Sequence, residues 1–125
     1  MLWSKNMQLI DANVILRYLL NDNRDMSQKA REVVSSGAYT KPEIIAEVVY
    51  VLSGVYQAAR SDIQAYVKEM LRFIRCTERD AVVYAMDVYA STSLDFVDCL
   101  LVAYQALNKE AVFTFDKKLL KHLAK

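Results

Sequence analysis

The hydrophobic patterning of the chain predicts an α/β protein built on a short parallel sheet. Three observations carry that expectation. Segments with helical spacing alternate with short runs of β-forming residues. Acids stand where such runs give way to helices, as at Asp11 and Asp116. No internal repeat, low-complexity stretch or second apolar block divides the 125 residues, a length that suits one domain with a real core.

Composition narrows the class. Apolar residues make up 54% of the chain and charged residues 25%, which is globular rather than disordered. With 16 basic and 15 acidic residues the net charge is +1, too balanced for strong non-specific nucleic-acid binding through bulk charge. A local basic rim remains open to Arg17, Arg24, Lys29, Lys41, Lys117 and Lys118. Two glycines, Gly37 and Gly54, are too few for a phosphate-cradling loop of the P-loop or Rossmann kind. The cysteines, Cys76 and Cys99, form no disulfide framework. There is no signal-peptide pattern and no apolar run of about 18 residues, so the chain reads as soluble and cytoplasmic, with no membrane partner.

Taken in order, residues 1–6 show no period and read as an N-terminal extension, with the domain spanning residues 7–125. Gln8 to Asp11 reads as a short strand ending in an acid. A helix follows from Ala12 to Leu20, with Val14, Ile15, Tyr18 and Leu19 at helical spacing. After the turn residues 21–25, a helix from Met26 to Ser36 buries Met26, Ala30, Val33 and Val34 and is closed by Gly37. Ala38 to Lys41 suits a second strand, and Pro42 the first turn of the helix running to Ser53. The pattern Ile63, Tyr66, Val67, Met70, Leu71, Ile74 makes an amphipathic scaffold helix headed by Arg60. Between Ile74 and Asp80 no strand is evident. A helix from Asp80 to Ala90 is expected next, then one opening near Asp95. Ala111 to Phe115 is the richest run of β-formers in the chain, and Lys117 to Lys125 closes it as a helix.

Each acid at a junction has a plain explanation. Asp11 suits a helix N-cap, and Asp95 and Asp98 suit the N-cap and N3 positions of one helix. Glu47 lies more than one turn inside an apolar helix, so it must stand at a rim or be held by a partner. In open parallel sheets, however, ligands bind beyond the carboxyl ends of the strands. Asp11, Glu47, Asp95, Asp98 and Asp116 would then share one edge and repel one another. Hard oxygen donors of that kind suit Mg²⁺ or Mn²⁺. Serine or cysteine nucleophile chemistry lacks an imidazole partner, because the only histidine, His122, lies on a lysine-rich helix face and reads as a solvated residue. No Cys/His spacing suits zinc. Metal-assisted hydrolysis is what these residues leave.

The blocks Leu9 to Leu20, Pro42 to Glu47, Leu94 to Leu101 and Phe113 to Asp116 resemble, in order and spacing, the PIN-domain family, and within it the small VapC-type toxins. The resemblance runs from Met7 to about Leu123. It implies a three-layer α/β/α sandwich with a short central parallel sheet and an Mg²⁺- or Mn²⁺-dependent ribonuclease site. Its acidic quartet matches Asp11, Glu47, Asp98 and Asp116, its polar helpers match Asn13 and Thr114, and Asp95 stands as an auxiliary fifth acid. It also implies an RNA substrate, an antitoxin protein and a homodimer. The sequence departs from the family's pattern in lacking a recognisable strand between Ile74 and Asp80. Two other readings compete. A receiver-like phosphoacceptor wants adjacent acids after its first strand, where this chain has Asp11 followed by Ala12 and Asn13. A non-catalytic interaction module would use the same acids only as helix caps.

Overall fold

The computed structural model describes residues 7–124. The expected N-terminal extension, residues 1–6, lies outside the described residues.

Strand β1 (Gln8–Leu9) leads into α1 (Ala12–Leu20), and α2 (Arg24–Gly37) follows. β2 (Ala38–Thr40) enters α3 (Pro42–Gly54), and α4 (Arg60–Met70) leads to β3 (Arg75–Cys76). Three helices complete the chain: α5 (Arg79–Ser91), α6 (Phe96–Asn108) and α7 (Lys117–Leu120). The strands form one parallel sheet in the order β1-β2-β3. Gln8 lies opposite Ala38, and Thr40 opposite Cys76. The alternation of elements predicts this parallel sheet, and the arrangement is consistent with the α/β/α sandwich that the resemblance implies. Each crossover between parallel strands carries a pair of helices.

Local chemistry explains the joints. Asp11, Asn23, Asp95 and Asp116 cap α1, α2, α6 and α7, each side chain accepting from a backbone N–H of the first turn. Pro42 occupies the first turn of α3, where its missing donor is no loss. α2 passes into β2 with no intervening loop, and Gly37 makes that possible with φ of +109°. α1 packs on α2 and α3, α3 on α4 and α6, and α5 lies between α4 and α6. Ile15, Ile45, Leu52, Ile63, Met70, Ile74, Met86 and Leu94 are fully buried in one continuous core. No helix among the described residues is long and apolar enough to cross a membrane.

The structure corrects several expectations. A strand does follow Ile74: Arg75–Cys76 pairs with β2, and Thr77 N extends the ladder to Thr40 O at 3.2 Å. Two residues are too few to show a period, so the pattern is silent there. Ala111 to Phe115, by contrast, forms no strand. Among the described residues its backbone makes no ladder hydrogen bond, and Phe113 and Phe115 are 83% and 89% exposed. β-propensity describes fit to a paired neighbouring strand, and no described strand pairs with this segment. α2 begins before Met26, which lies exposed in its first turn while Ser27 and Ala30 take the inward positions. Tyr66 is likewise exposed on α4, and α7 stops at Leu120 rather than running to the end.

Candidate functional site

Asp98 is the centre of the electrostatics. It lies in the first turn of α6, half-buried, and its carboxyl is pushed above the usual carboxylate range. Burial is the largest cause, followed by the negative charges of Asp95 and then Asp116, with Lys118 opposing them. A helix N-terminus ordinarily favours a carboxylate, and burial and like charge act in the opposite direction here.

The neighbours are held from the backbone. Asp95 Oδ1 accepts from Asp98 N at 2.9 Å. Asp116 Oδ1 accepts from Lys118 N at 2.8 Å and Leu119 N at 3.0 Å. Thr114 Oγ1 in turn accepts from Asp116 N at 3.0 Å, which steadies the entry to α7. Lys118 Nζ reaches back to donate to Ser93 O at 2.8 Å, tying α7 to the segment before α6. Asp95, Asp98, Asp116 and Thr114 therefore converge, drawn from two helix starts far apart in sequence.

Asp11 occupies the corresponding cap of α1, with Oδ1 accepting from Val14 N at 3.0 Å. Asn13 is exposed in the same helical turn. Glu47 projects from the middle of α3 and is exposed, with no ion pair among the described residues. The choice posed by its apolar surroundings resolves in favour of a rim position. The charges that act on Asp98 come from Asp95 and Asp116 rather than from Asp11 or Glu47. Among the described residues no three His, Cys, Asp or Glu side chains stand close enough to hold one metal ion as they lie.

The donor chemistry nevertheless fits a hard cation. Every candidate is a carboxylate, and the caps engage only Oδ1 of Asp11, Asp95 and Asp116, leaving the second oxygen of each clear of the helix. A cation would also offset the burial and the like charge that raise Asp98. The other reactive groups are inert. Cys76 and Cys99 are buried, with burial pushing their thiols up to about 12 and about 11. His122 is exposed, as a solvated residue should be.

One residue at the site carries no motif. Arg60 opens α4, and Nε donates to Tyr89 O at 2.7 Å while an Nη donates to Leu94 O, beside Asp95. Its guanidinium carbon lies 3.6 Å from the centroid of the Tyr89 ring. Its partners stand 29 and 34 residues away and are main-chain oxygens, so no side-chain pattern announces them. The available signal is a cation at the first position of a helix, where the dipole disfavours it. Alongside it, Ala46, Tyr50, Ser53, Ser93, Asp95 and Val97 line an open cleft of about 440 Å³.

No curated protein matches the chain. The sequence model of the PIN domain matches residues 9–125, a span that takes in every acid described above. With that match over nearly the whole chain, and a parallel-sheet fold to go with it, the protein belongs to the PIN-domain family.

Proposed function

We propose that the protein is an Mg²⁺- or Mn²⁺-dependent endoribonuclease and the toxin of a toxin–antitoxin pair. PIN domains are generally nucleases, and PIN nucleases typically use divalent metals. The observation that carries the reading is the carboxylate set at the starts of α6 and α7: Asp98 is half-buried, burial and then the charges of Asp95 and Asp116 raise its carboxyl, and Lys118 opposes them.

In this reading Asp11, Glu47, Asp98 and Asp116 hold the ion, with Asp95 in support. A bound divalent cation supplies a lowered water pKa and neutralises phosphodiester charge. The protein's own residues do the rest. The caps pin Asp11, Asp95 and Asp116 to rigid helix starts, Thr114 fixes the backbone of Asp116, and Asn13 offers an exposed amide beside Asp11. Lys118 supports the segment before α6 and is one of the rim cations that would meet RNA phosphates. The exposed rings of Phe113 and Phe115 support a homodimeric or antitoxin-bound state, since paired aromatic rings are a usual interface feature.

A second reading has its own support. Asp11, Asp95 and Asp116 do cap helices, as a non-catalytic interaction module would require. Incubation of structured RNAs with the protein, with and without Mn²⁺, separates the two. Mapped cleavage that depends on Mn²⁺ and disappears in D98N is the expected result. The absence of both saturable Mn²⁺ binding and cleavage would favour the interaction module, whose helix caps need no metal.

A further inference from the structure

We infer that Arg60 is a positioning residue, one that sets the segment carrying Asp95 and Asp98 against Asp116; the inference rests on reading those acids as a cation site. The argument starts from how Arg60 is used. It opens α4 and is half-buried, yet among the described residues it forms no ion pair with a carboxylate. Its donors go to two carbonyl oxygens, Tyr89 O in the last turn of α5 and Leu94 O in the segment between α5 and α6. The first of these belongs to a helix end, where carbonyls lack intrahelical partners. The second immediately precedes Asp95, the cap of α6.

The ring contacts close the arrangement from the other side. The guanidinium lies over the Tyr89 ring at 3.6 Å, and the Tyr89 ring meets the Phe96 ring edge-on, with centroids 6.4 Å apart. Asp95 is thereby bracketed: Leu94 is held through its carbonyl, and Phe96 through Tyr89. Asp95 then fixes Asp98 N, so displacement at Leu94 passes directly to the acid at the centre of the site. On the opposite flank Lys118 Nζ holds Ser93 O. Two cations thus clamp one short segment, and of the two it is Lys118 whose charge acts on Asp98. A planar fork that serves two carbonyls and also stacks on a ring is a task for arginine; an ammonium offers neither the fork nor the stacking plane. Groups that orient metal-binding side chains are typically worth tenfold or more in metal affinity.

The test uses the full chain and MnCl₂ alone as ligand, followed by calorimetric titration and by the melting-temperature shift, with RNA cleavage measured separately at saturating Mn²⁺. R60M keeps an aliphatic stem against Tyr89 and loses every donor, and it should weaken Mn²⁺ binding by about 10-fold. Its kcat should fall while its KM for RNA stays at the wild-type value. R60K keeps the charge and loses the fork, and should bind Mn²⁺ more weakly than wild type; it decides the matter where R60M does not fold. K68M breaks the Lys68–Asp87 link between α4 and α5, and should leave Mn²⁺ affinity unchanged. Wild-type Mn²⁺ affinity in folded R60M or in R60K would overturn the positioning role, as would an equal loss in K68M. A wild-type protein that binds no Mn²⁺ would overturn the cation site itself, and the role of Arg60 with it.

Discussion

Asp98 is where helix capping and the proposed metal binding make opposite demands on one side chain. As a cap-proximal acid it would gain roughly 0.3–1 kcal/mol from the helix dipole. Its raised carboxyl says that the folded protein holds the proton more tightly than the unfolded chain does. For an acid that sign means the charged form costs stability, with the cost fully present once pH exceeds the folded value and absent below the unfolded one. D98N should therefore melt above wild type at neutral pH without metal, by roughly 2 °C, and a scanning-calorimetry trace showing a lower midpoint would return the residue to a capping role. Glu47 makes the complementary case. It is exposed and unpaired among the described residues, so E47Q should change unfolding free energy by less than about 0.5 kcal/mol in urea titrations. Mn²⁺ affinity should nevertheless drop, because an amide is a poor donor to a hard cation. Glu47 was legible as a candidate because an acid among apolar neighbours needs a reason, and Asp98 because it follows Asp95 by three residues at a helix start. Arg60 was not, since its reasons are carbonyl oxygens in another part of the chain.

At the scale of elements, legibility followed length and partnership. Ala12 to Leu20 has nine residues of clear spacing, and α1 has those same bounds. Arg75–Cys76 exists as a strand only because β2 is beside it, which local sequence does not record. Ala111 to Phe115 has the opposite fate, with strong β-formers and no described strand to pair with. Pairing between helices can be tested through α4 and α5, where Lys68 Nζ and Gln64 Nε2 both donate to Asp87 Oδ1. The lysine bond is the main cause that pulls the Asp87 carboxyl below its usual range. That direction gives stability above the unfolded value, near pH ~4, which is lost as pH falls through the folded value. The pair is largely exposed, so its worth is about 0.2–1 kcal/mol. Wild type should exceed K68M by that amount from pH 5 to 7, and the two unfolding curves should converge as the pH drops below the carboxylate range. A gap that stays constant to acid pH would show that Lys68 acts through packing of its stem.

For the whole molecule, the question is how much of the chain the core needs. Among the described residues the buried cluster begins at Ile10 and ends at Leu123, and α1 and α3 to α7 all contribute to it. Val33 and Val34, partly buried, pack α2 against it, and Leu119 brings in α7, so no described helix is an appendage. The helix starts that bear Asp11, Asp95 and Asp116 are fixed by the same packing, which makes the site a property of the full fold rather than of one motif. The PIN-domain match begins at residue 9, one residue before the cluster does. A chain reduced to residues 7–125 should then retain the complete core and the complete acidic set. Its thermal midpoint should stay within roughly 3 °C of the full chain, and its Mn²⁺ titration should be superimposable. A loss greater than about 1 kcal/mol is the size expected when a buried apolar side chain is removed. That result would place residues 1–6 in the core and move the start of the domain to Met1.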